Sequence, residues 1–181
     1  MGRTAYGVPF RPPGPSYTDP MSTPAVSTPE LLREGLREVL YGPDGGPLAV
    51  GLFSVGEAGL LRTVHALTPA QANAPAAPGR PTPAQIAVHL RQSLELAAAQ
   101  LSDPYALLAD DTEAWSVRIT SPQAWRAELV ALARAGQTLY EALYLPLSPD
   151  GLRLAFGAVA HAAYHTGALR FHLANLLAEG R

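Results

Sequence analysis

The 181-residue sequence contains no cysteine. Disulfides, thiolate zinc sites and cysteine nucleophiles are excluded, while the compartment stays open on that criterion. It contains no lysine either, since all 13 basic residues are arginine. Schiff-base chemistry and the lysine of a phosphate-binding loop are therefore excluded. Charged residues make up only 15% of the chain and sum to a formal net charge of -2, which argues against a nucleic-acid footprint. No apolar run approaches the ~20 residues of a membrane span. The N-terminus has no apolar signal core, so a cytoplasmic chain without membrane contact is expected. Three catalytic signatures are also missing. There is no Glu-x-x-His pair of the di-iron bundles, no H-E-x-x-H and no G-x-S-x-G elbow.

What is present is helix. Residues 1–26 are rich in Pro, Gly, Ser and Thr without any period, and read as a flexible N-terminal arm. Residues 27–181 read as a single helical domain. Thr28-Pro29-Glu30 starts a helix over 28–41, with Leu31, Leu32, Leu36, Val39 and Leu40 on its apolar face. The breaker Gly42–Pro47 ends it. Val50, Phe53, Val55, Leu60, Leu61 and Val64 predict a second helix from about 48 to 67, weakened by Gly51, Gly56 and Gly59. Thr82-Pro83 starts a helix over 83–102, with Ile86, Leu90, Leu94, Ala97 and Leu101 as its stripe and His89 beside it. Residues 103–120 read as a long irregular loop containing Asp110, Asp111 and Trp115. Loops of this length are often functional. Ser121-Pro122 caps a helix to about Leu143, and a final helix runs over 150–178. No alternating stretch is long enough to predict a sheet. The fold class is all-α.

The final helix carries His161-Ala-Ala-Tyr-His165. An i,i+4 pair lies one turn apart on one face, on the same stripe as Leu154, Ala158, Leu169 and Leu176, and so is expected to point inward. Buried imidazoles need partners. Backbone carbonyls, hydroxyls, another imidazole of the pair or a bound metal ion can each supply them. His89 is the best third ligand, and three imidazoles suit Zn, Ni, Fe, Mn or Co with coordination positions left open. His172 lies two turns past His165, ~10 Å along the axis, so core or interface packing fits it better. His65 fits a helix C-terminus. Glu57, Asp110, Asp111 and Tyr164 are candidate bases, although such residues are more often plain surface.

The run Pro-Thr-Pro-Ala-Gln-Ile-Ala-Val-His89-Leu, followed by His161-Ala-Ala-Tyr-His165-Thr-Gly167-Ala-Leu-Arg170, resembles the DinB/YfiT-like superfamily. The resemblance covers about residues 47–178 and departs at Ala168, where family members frequently carry Gln. It implies an up-down-down-up four-helix bundle, often a homodimer, with His89, His161 and His165 as a metal-binding triad. It would make 48–67, 83–102, 121–144 and 150–178 the bundle helices, and 28–41 an extra N-terminal helix. Branches of the family resemble thiol S-transferases that use a low-molecular-weight thiol, or hydrolases, so a small-molecule substrate is implied without a unique chemistry. A non-catalytic metal- or ligand-binding stress-response protein is the alternative. A dimer seam is expected on 28–41 or 103–120.

Overall fold

The computed structural model describes residues 26–46, 48–107 and 112–179. The expected arm over 1–26 lies, apart from Val26, outside the described residues, as do Asp110 and Asp111. The described residues form seven helices and no strand: α1 (Thr28–Tyr41), α2 (Leu60–His65), α3 (Pro69–Ala72), α4 (Pro83–Ser102), α5 (Thr112–Ser116), α6 (Pro122–Ala142) and α7 (Pro149–Glu179). Among them no helix is long and apolar enough to cross a membrane.

The long helices begin where the capping chemistry places them. Thr82 accepts from the Gln85 backbone N–H while the Gln85 side chain accepts from the Thr82 N–H, a closed capping box ahead of Pro83. Ser121 caps α6 ahead of Pro122 in the same way, without the reciprocal half. At α1 the cap is Ser27 rather than Thr28, and Glu30 closes the box.

Four pairs of contacts fix how the long helices run. The Arg33 guanidinium donates to the Leu143 carbonyl at 3.0 Å, while Leu40 packs against Gly136, so α1 and α6 are antiparallel. Val159 packs near Gly35 and Val39 shares a cavity with Ala163 and Thr166, so α1 and α7 are parallel. Arg91 pairs with Glu128 at 2.7 Å and Ser102 lies beside Thr138, so α4 and α6 are parallel. His89 faces His161 and Leu101 lies near Gly151, so α4 and α7 are antiparallel. Between them Leu36, Leu40, Leu90, Leu94, Leu132, Leu139 and Leu169 are fully buried, each contributing roughly 1.5–3 kcal/mol by transfer from water.

Residues 48–67 do not form the expected helix. Only Leu60–His65 is helical, and residues 49–56 form a small hairpin closed by a Val50–Val55 bridge. The reason lies on α1. The buried Glu38 carboxylate accepts the Phe53 N–H at 2.9 Å, the Ser54 hydroxyl at 3.0 Å and the Leu52 N–H. These donors are turned outward from any helix and satisfied by a charged acceptor. Gly51 has no Cβ to collide with that carboxylate, and Gly56 takes φ 62°, which a side chain resists. Leu60 and Val64 still reach the core, while Val50, Phe53 and Val55 are exposed. The helix α1 packs on both α6 and α7 and is not an appendage.

Candidate metal centre

The centre is built on α4 and α7. Seven residues after its N-cap, α4 presents His89, and α7 presents His161 and His165 one turn apart. One ligand atom from each of the three lies within 4.8 Å of the others. The Nε2 atoms of His89 and His161 are 3.2 Å apart. The ring centroids are separated by 5.0 Å (His89–His161), 5.2 Å (His89–His165) and 4.6 Å (His161–His165). All three rings are half-buried. They sit at the α4–α7 seam and not at the centre of the core, which α7 fills with Ala155, Val159, Ala162, Thr166 and Leu169. The inward direction expected for the pair is thus corrected to a direction along the seam. The stripe of Leu154 and Ala158 shares it, half-buried like the rings.

Electrostatics keeps one ring neutral. Burial, and then the neighbouring His161 and His89, push the His165 imidazolium down to about 4. A neutral imidazole is the form that binds a metal. The Nδ1 of His165 is buried with no hydrogen-bond partner, which costs free energy until something binds it. Two nitrogens 3.2 Å apart can both reach one ion at the usual Zn–N distance of ~2.1 Å. The three side chains therefore fit a divalent cation, and the group includes no carboxylate among the described residues.

Sequence reasoning had placed Trp115 in the 103–120 loop without a role. In the structure α5 interrupts that loop, and the Trp115 ring lies 4.6 Å from the His89 ring at 33°. Gln85, one turn before His89, donates to the Trp115 carbonyl at 2.5 Å. The same side chain closes the α4 capping box, so helix start, indole and ligand ring are held as one unit. A lone Trp inside a long loop is the only sequence signal.

The other candidates fall elsewhere. Glu57 is paired with Arg170 at 2.6 Å, beside α1 rather than at the seam. The Tyr164 ring is 5.0 Å from that of His165, with its side chain turned mostly to solvent. His172 is buried, 5% exposed, and does not join the group. His65 is exposed in the last turn of α2. The chain matches no family model, no curated protein and no solved structure.

Proposed function

We propose that this chain is a divalent-metal-dependent enzyme of the DinB/YfiT-like kind, in which His89, His161 and His165 hold the ion. The observation that carries the reading is the convergence of three imidazoles from two helices, with no fourth protein ligand among the described residues. Closed structural sites use four protein ligands, and three leave a position for a reactant. The helix directions add support. With α1 counted first, α1, α4, α6 and α7 run up-down-down-up, the order that the resemblance implies for a four-helix bundle.

A divalent ion held there, Zn, Ni, Fe or Mn, supplies the Lewis acidity that makes a water or a thiol nucleophilic near neutral pH. The protein's share is positional. His165 stays neutral, Trp115 backs the His89 ring, and a cavity of about 300 Å³ opens beside His161. That cavity argues against a purely structural ion, which needs no adjoining space; turnover separates the enzyme from the alternative, a non-catalytic metal- or ligand-binding protein. Thiol S-transfer and hydrolysis are the two reaction classes to assay. Metal-stripped protein reloaded with each ion is tested against electrophiles with a small thiol, and against esters and amides. Metal-dependent turnover lost in His161→Ala supports the enzyme. Tight metal binding with no turnover in any arm supports the alternative.

The expected homodimer has a better seam than those expected from sequence. The apolar face of α1 is buried within the chain. On α7, by contrast, Phe156, Tyr164 and Phe171 are 66%, 73% and 68% exposed, along one face with Gly157, Ala160, Gly167 and Ala168. Antiparallel pairing of two α7 helices about residue 162 sets Phe156 opposite Ala168, Tyr164 opposite Ala160 and Gly157 opposite Gly167. Each large side chain then meets a small one, and Arg153 meets the Phe171 ring. A two-fold interface requires this self-complementarity.

A further inference from the structure

We infer that the α4–α7 groove beside His161 takes an elongated molecule whose metal-binding head reaches the three histidines and whose uncharged alkyl tail runs toward Leu154. This inference rests on the metal reading above and adds the class of substrate. The groove of about 300 Å³ is walled by Leu90, Leu94 and Ala97 on α4 and by Leu154 and Ala158 on α7. Its polar groups other than His161 are Ser93 and Gln100, and it has no charged side chain. Neighbouring cavities differ. One carries Arg91, Glu95 and Glu113, and another carries Glu38, Glu57 and Arg170. Desolvating a charged tail in an uncharged groove is unfavourable, while an alkyl chain gains about four-fold in affinity per buried methylene.

The groove also has a direction and a length. His161 stands at one end and Leu154 seven residues away, ~10 Å along the helix axis, about the reach of an eight-carbon chain. A second cavity of about 250 Å³ continues it, sharing Leu154 and Gln100. Gly157 keeps the α7 wall open, because a Cβ there would meet nothing within 4 Å. On the α4 wall the half-buried Ser93 is the position where a larger side chain would narrow this space.

The test uses straight-chain hydroxamic acids, whose head groups coordinate metals, on zinc-loaded full-length protein by calorimetry. Affinity is expected to rise about four-fold per methylene from acetohydroxamic to octanohydroxamic acid. An eight-carbon hydroxamate ending in a carboxylate loses that gain. Ser93→Phe, on the α4 wall, also removes it while still binding acetohydroxamic acid. In metal-free protein, octanamide is expected to shift the methyl NMR signals of Leu94 and Leu154. Acetohydroxamic acid binding with no dependence on chain length, and no shift of those methyls, overturns the inference and leaves the metal centre standing. Failure of every hydroxamate on protein that retains no zinc overturns the metal reading and this inference with it.

Discussion

The Nε2 atoms of His89 and His161 face one another at 3.2 Å across the α4–α7 seam. Without a cation one must donate a proton to the other, whereas a shared ion uses both lone pairs. Protein purified without a histidine tag is therefore expected to hold about one divalent ion per chain, the stoichiometry of a single three-ligand centre. His161→Ala should lose it. Elemental analysis of both proteins decides the matter, and unchanged metal in the variant refutes the centre as drawn.

His165 gives the metal-free protein a pH dependence of definite sign. Its folded pKa is depressed from 6.5 to about 4, so between those values the unfolded chain binds a proton that the folded chain refuses. Stability from this group falls as pH drops through that window and is flat above it. Urea unfolding in chelator, at a series of pH values, should show a steeper acid slope in the wild type than in His165→Gln. Equal slopes would remove the argument.

Trp115 packs against the His89 ring at 4.6 Å and 33°. Trp115→Ala should keep metal stoichiometry at saturation but weaken affinity by about ten-fold, the lower end for a residue that orients a ligand. Competition with a calibrated chelator measures this. An affinity equal to wild type would show the indole to be mere cover.

Glu38 holds the 49–56 hairpin through two backbone N–H groups and a hydroxyl. Glu38→Ala leaves those donors without their charged acceptor and should cost about 2–3 kcal/mol. For a chain of this length that lowers Tm by roughly 5–10 °C. A scanning calorimetry shift below one degree would show that water replaces the carboxylate at little cost.

The α7 face predicts the oligomer. Wild-type protein should sediment as a dimer, and Phe171→Glu, which places a carboxylate on an exposed site of that face, should sediment as a monomer with an unchanged helical signal. A dimer in both proteins would move the seam elsewhere.

Much of this was local and so could be read from the sequence. Thr82-Pro83 and Ser121-Pro122 mark the starts of α4 and α6 within the cap residues themselves. The spacing of His161 and His165 is a property of one helix. What could not be read depends on distant partners. Val50, Phe53 and Val55 fit a helical period, but a carboxylate at least 14 residues away captures the backbone of that stretch. Nothing near residues 28–41 shows that they pack on α7, since the partner follows more than a hundred residues later. Trp115 meets His89 only when α5 folds back over the start of α4, 26 residues earlier in the chain.

The parallel packing of α1 on α7 also sets an order of assembly. During synthesis the first long helix leaves the ribosome well before its neighbour exists, and His89 precedes its facing imidazole by 72 residues. Contacts this distant in sequence close late. A nascent chain stalled before residue 149 has one of the three imidazoles and only the α4 wall of the groove. The three-histidine cluster is withheld until the last helix has been made.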